Sequence, residues 1–125
     1  MLVVEDEFLI RMGLSDDLAD LGFETDEASN GMQALEKLRA NCYAAIFLDL
    51  NLPDRDGMDL LADIRRDCAE LPVILVSGDS SKTLEGAHRR FPRVATIQKP
   101  FSVGDIQKAL TVVDVGGPPS GSLAR

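Results

Sequence analysis

The strongest constraint on this chain is a set of short, continuous apolar runs. They are Leu2-Val3-Val4, Ala44 to Leu48, Val73 to Val76 and Val94 to Ile97. Runs of this kind suit parallel strands buried on both faces. A fifth stretch, Phe23 to Ala28, is more polar. Its alternation Phe23-Glu24-Thr25-Asp26 is that of a strand nearer the sheet edge.

Amphipathic stretches lie between the runs. Ile10, Leu14, Leu18 and Leu21 recur at spacings of four, four and three, and Val103, Ile106, Leu110 and Val113 at three, four and three. Both patterns place apolar residues on one helix face. Weaker stripes are Ala34, Leu35, Leu38 and Leu60, Leu61, Ile64. Ser81 to Arg90 is the weakest helical segment, because Gly86 sits inside it. Asn30 and Ser102 are expected N-caps, and Asp56 is placed to start the helix after Gly57. Met12, Met32 and Met58 are expected in core or boundary packing. The result is β-α repeated five times: an α/β chain with a five-stranded parallel sheet covered on both faces by five helices. There is no internal repeat. One domain over residues 1–114 is expected, followed by a breaker-rich tail or linker over 115–125 that contains Gly116-Gly117-Pro118-Pro119.

A chain of 125 residues can bury a core without disulfide or metal staples. Cys42 and Cys68 lack metal-ligand spacing and read as reduced structural thiols in a cytoplasmic protein. No apolar run is long enough to span a bilayer, and the N-terminus lacks a signal layout. The formal net charge of −8 argues against direct contact with nucleic acid, which needs a basic footprint.

The chemistry gathers at the C-terminal ends of the strands, the edge of an open parallel sheet where ligands bind. Glu5 and Asp6 follow the first run, Asp49 follows Ile46-Phe47-Leu48, Ser77-Gly78 follows Val76, and Lys99 comes two residues after Ile97. Three carboxylates, a hydroxyl and an ammonium thus converge from four segments. Clustered carboxylates repel unless a cation sits among them, and hard oxygen ligands select Mg2+. Asp49, at the end of the middle run, can act as a nucleophile toward phosphorus. Mg2+ and Lys99 would neutralise charge on a transferring phosphoryl group. The Ser77 hydroxyl can donate to a phosphate oxygen, and Gly78 lets backbone approach closely.

The segments Val3-Val4-Glu5-Asp6-Glu7, Asp49-Leu50-Asn51-Leu52-Pro53-Asp54-Arg55-Asp56-Gly57, Ser77-Gly78 and Lys99-Pro100-Phe101 resemble, in order, the signature of response-regulator receiver domains. The resemblance runs from Met1 to about Val113. It implies a doubly wound, flavodoxin-like sheet with strand order 2-1-3-4-5. It also implies that Asp49 is the phosphoacceptor, that Asp6, Asp49 and the backbone carbonyl of Asn51 bind Mg2+ directly, and that Glu5 acts through metal-bound water. Lys99 would pair with the phosphoryl group, Ser77 would hydrogen-bond to it, and the Lys99–Pro100 bond would be cis. The implied function is a phosphorylation-activated switch of a two-component phosphorelay. It would take its phosphoryl group from a histidine kinase or histidine phosphotransfer protein, and catalyse only its own phosphorylation and dephosphorylation. The implied output face is the Ser81–Val113 region, where phosphate on Asp49 would draw Ser77 inward and move the weak helix behind it. The oligomeric state is left open, a homodimer included.

Two positions depart from the family pattern. Thr96 stands where the family often carries a switching aromatic residue, and Glu5 stands where aspartate is frequent. Other readings are weaker. A phosphatase of the haloacid-dehalogenase type needs a second aspartate two residues after the nucleophile, and Asn51 cannot transfer a proton in that way. A degenerate, binding-only receiver would lack Asp49 or Lys99, and both are present. His88, Arg89, Arg90 and Arg93 suggest either a docking patch or, more simply, a solvated helix C-terminus that favours cations.

Overall fold

The computed structural model describes residues 1–78 and 93–113. Strand β1 (Leu2–Val4) is followed by helix α1 (Phe8–Asp20), β2 (Asp26–Ala28), α2 (Gly31–Ala40), β3 (Ile46–Asp49), α3 (Gly57–Asp67), β4 (Val73–Ser77), β5 (Val94–Gln98) and α4 (Val103–Val112). The sheet order is β2-β1-β3-β4-β5 and every pairing is parallel. The expected helix over Ser81–Arg90, the residues His88, Arg89 and Arg90, and the tail from residue 114 lie outside the described residues. Among the described residues no helix is long and apolar enough to cross a membrane.

Continuous apolar strands are explained by what covers them. Val3, Phe47, Ile74, Val76, Ala95 and Ile97 face one side and pack with Leu14 and Leu18 of α1 and Ile106, Ala109 and Leu110 of α4. Their neighbours Leu2, Val4, Ile46, Leu48, Val73, Leu75 and Val94 face the other and pack with Ala34 of α2 and Leu60, Leu61 and Ile64 of α3. Successive strand residues point to opposite faces, so a sheet buried on both must be apolar at every position. The edge strand β2 is shorter than the apolar pattern suggested. It pairs only over Asp26–Ala28, with Asp26 and Glu27 exposed, because it has a neighbour on one side alone.

The N-termini of α2, α3 and α4 are capped by short polar side chains. Asn30 accepts from Gln33 N at 2.8 Å, Asp56 from Met58 N at 2.7 Å, and Ser102 forms a capping box with Asp105. Two expectations, on the methionines and on Cys42, need correction, and the weaker docking reading of Arg93 falls. Met12 and Met32 are exposed, and of the three Met58 alone packs against the core. Cys42 is exposed and thus contributes no core packing. Arg93 is not a free docking cation. It adopts φ 54°, and its guanidinium donates to the carbonyls of Glu70 at 3.1 Å and Val113 at 3.0 Å.

Candidate functional site

Register places the site before any side chain is considered. Val4 lies opposite Leu48, Asp49 opposite Val76, and Ser77 opposite Gln98. The residues that follow these pairs, Glu5, Asp6, Asn51 and Lys99, therefore emerge along one edge of the sheet. The Lys99–Pro100 bond is cis, and Lys99 N donates to Ser77 O at 2.7 Å, tying the end of β5 to the end of β4.

Glu5, Asp6 and Asp49 each bring a carboxylate oxygen within 4.8 Å of the others. Glu5 and Asp49 are each only 2% exposed, whereas Asp6 is exposed. Burial of that kind needs compensation. The Lys99 ammonium sits 2.8 Å from Glu5 Oε1 and 3.5 Å from Asp49 Oδ2. Burial disfavours the charged ammonium, but the Glu5 and Asp49 carboxylates outweigh it and hold Lys99 above the ordinary lysine range. The remaining carboxylate oxygens take backbone donors: Glu5 Oε2 from Glu7 N at 3.1 Å, and Asp49 Oδ1 from Asn51 N at 3.0 Å.

The loop after β3 is closed on itself. Asn51 and Asp56 form an antiparallel bridge, Gly57 N donates to Leu50 O at 3.0 Å, and Arg55 pairs with Asp63 of α3 at 2.5 Å. Asp54 reaches to another helix, accepting from Gly31 N at 2.8 Å and Met32 N at 3.0 Å. Those bonds, led by the one from Gly31, hold the Asp54 carboxyl below the usual carboxylate range. With Asn30, Asp54 satisfies the free N–H groups of the first turn of α2.

Of the predicted site residues, Glu5, Asp6 and Asp49 are thus in mutual reach, and Lys99 reaches Glu5 and Asp49. Ser77 is buried at 4% exposure at the end of β4, and Asn51 meets Asp49 through its amide. Among the described residues, a Cβ on Gly78 would meet nothing within 4 Å. Sequence reasoning missed Asp54 and Arg11. Arg11 donates to the Glu5 carbonyl at 2.8 Å and pairs with Glu27 at 2.9 Å. No local pattern marks such contacts, which join residues brought together only by the fold.

The family model for the response regulator receiver domain matches residues 1–111. The chain belongs to this family. The receiver domain of NtrX from Brucella abortus is similar at 34% identity and a TM-score of 0.83, covering 92% of this chain and 98% of that one. The transcriptional regulatory protein PdtaR of Mycobacterium tuberculosis is 32% identical over 88% of this chain, which spans 54% of PdtaR. The peroxide stress-activated histidine kinase mak3 of Schizosaccharomyces pombe is 28% identical over 94% of this chain and 5% of its own length. The receiver thus spans about half of one of these relatives and a small part of the other. It is a signalling module of two-component systems. Its acidic cluster offers the hard oxygen donors that suit a divalent cation.

Proposed function

We propose that this receiver is switched by phosphorylation of Asp49 with Mg2+ held at the acidic cluster. The observation that carries the reading is the juxtaposition of Glu5, Asp6 and Asp49 within 4.8 Å of one another beside the Lys99 ammonium. Asp6, Asp49 and the Asn51 carbonyl would hold the ion, with Glu5 acting through its bound water. When bound, the ion would neutralise the charge of the transferring phosphoryl group.

The protein's own groups define the step. An Asp49 oxygen attacks phosphorus of a phosphohistidine; the O–P bond forms, the N–P bond breaks, and the imidazole leaves carrying its electron pair. The Asn51 amide holds the other Asp49 oxygen, so the attacking one keeps a fixed direction. Lys99, already charged and shared between two carboxylates, pairs with the phosphoryl oxygens as they arrive. Ser77 donates its hydroxyl to the product. Hydrolysis by water at phosphorus restores Asp49.

The donor is a histidine kinase or histidine phosphotransfer protein. Phe8 and Leu9, 59% and 75% exposed at the start of α1 beside the acidic loop, together with exposed Met12, give such a protein apolar surface next to the site. The output face is the 81–113 region, where a groove lined in part by Thr96, Gln98, Lys108 and Val112 runs along β5 and α4. With Thr96 in place of an aromatic ring, movement behind Ser77 carries the change. Residues 1–114 form the working unit, and 115–125 serve as a tail or linker.

Incubation with acetyl phosphate and Mg2+, read by intact mass, tests the reading. One phosphoryl group is expected on wild type, none in EDTA and none on Asp49→Ala. A label that persists on Asp49→Ala would overturn it. Hydrogen exchange with beryllofluoride should change most between Ser77 and Arg90, and less in Ser77→Ala; changes confined to α1 would move the output elsewhere.

A further inference from the structure

We propose that Arg11 is a positioning residue for the acidic site, a strut that fixes the Glu5–Asp6 backbone against β2 and so presents Asp6 to the cation. The inference rests on the proposed reading that these acids hold Mg2+.

The three carboxylates are not held equally. Glu5 is fixed by Glu7 N and Lys99, and Asp49 by Asn51 N and Lys99. Asp6 is exposed, so its direction depends on the backbone that carries it. Arg11 grips that backbone. Its Nη1 donates to Glu5 O at 2.8 Å and, more weakly, toward Asp6 O at 3.4 Å. Its Nε pairs with Glu27 Oε1 of β2 at 2.9 Å, and the guanidinium lies 5.5 Å from the centroid of the Phe8 ring. The Arg11 side chain is only 15% exposed. A planar fork bonded to acceptors on the β1–α1 loop and on β2 is a rigid brace, which a lysine cannot reproduce.

The charge balance separates this role from simple electrostatics. A lone guanidinium beside the loop would repel a cation, but Glu27 offsets it, so the brace adds order with little net charge. Removing the Arg11 charge should tighten Mg2+ binding if Arg11 acts only by its field. It should weaken binding if Arg11 acts by holding Asp6.

The test is calorimetric titration of Mg2+ into wild type, Arg11→Gln and Arg11→Lys, since the chain has no tryptophan to report binding by fluorescence. Loss of a supporting contact of this kind costs on the order of tenfold in metal affinity, and that rise in Kd is expected for Arg11→Gln. Arg11→Lys keeps the charge and should not restore affinity. A purely structural role would lower the urea midpoint in EDTA and leave the Kd of the folded protein unchanged. A Kd for Arg11→Gln equal to or below wild type overturns the proposal, as does full rescue by lysine. Should Arg11→Gln fail to fold, the lysine variant decides alone. If wild-type binding is absent, or is unaltered by Asp6→Asn and Asp49→Asn, the proposed metal site fails first and the inference falls with it.

Discussion

Gly57 and Gly13 should respond to the same substitution with opposite signs. A Cβ on Gly57 would stand 2.5 Å from Leu50 Cα, 2.9 Å from Leu50 O and 3.0 Å from Asp49 O. Comfortable carbon–carbon contact is about 3.5–4.0 Å, so the start of α3 and the end of β3 would have to part by roughly 1 Å. All three neighbours are backbone atoms, and the Gly57 N to Leu50 O bond of 3.0 Å resists the parting. Overpacking of this kind costs about 1–3 kcal/mol, while the reduced freedom of the unfolded chain returns under about 1 kcal/mol. Gly57→Ala should therefore destabilise by roughly 1–2 kcal/mol. Gly13 lies inside α1, exposed, with nothing among the described residues within 4 Å of an added Cβ. There only helix propensity acts, and Gly13→Ala should stabilise by about 0.5–1 kcal/mol. Equilibrium urea unfolding in EDTA measures both. A Gly57→Ala midpoint at or above wild type, or a Gly13→Ala midpoint below it, would refute the steric argument.

Asp6→Asn should raise the urea midpoint in EDTA, by relieving repulsion in the acidic cluster, while weakening Mg2+ binding; unchanged urea midpoint and affinity would count against a shared site. Tyr43 donates to Asp26 at 2.6 Å, and desolvation together with that bond pushes its phenol up to about 12. The chain has one tyrosine and no tryptophan, so absorbance titration reports Tyr43 directly. The shift stabilises the fold fully below pH 10, the ordinary value, and is lost as pH rises through about 12. An ordinary midpoint in the folded protein would refute the bond. Asp54→Ala should cost about 1 kcal/mol as a lost helix cap. The Asp54 pKa is lowered, so its contribution is present above the ordinary carboxylate range and lost as pH falls through the folded value. Urea midpoints for wild type and Asp54→Ala should thus differ at neutral pH and converge in acid.

What was legible in the sequence is what depends on local pattern. The runs Leu2-Val3-Val4 and Val73 to Val76 announced strands buried on both faces, and the residues just after the strands gave Glu5, Asp6, Asp49, Ser77 and Lys99. Asn30, Asp56 and Ser102 announced themselves as caps because a cap bonds within its own first turn. Asp54 did not, because it caps a helix 23 residues away in sequence. Arg11 and Glu27 were silent for the same reason, and Arg93 was noticed only as part of a basic cluster. Met12 and Met32 misled because an apolar side chain carries no label for the face it will take. The strand order came from family resemblance, since apolar runs specify a sheet but not the sequence of neighbours within it.

Arg93 has a consequence for how the molecule can be wired to others. Helix α4 starts just after its Ser102 cap, near the edge that bears Lys99, and finishes where the Arg93 guanidinium, just ahead of β5, grasps the Val113 carbonyl. Val113, the last of the described residues, therefore lies at the pole opposite the acidic edge. A reporter or effector joined after Val113 starts from that far pole, leaving the approach to Asp49 clear at the attachment point. A graft of equal size in the loop between β1 and α1 would stand in the doorway.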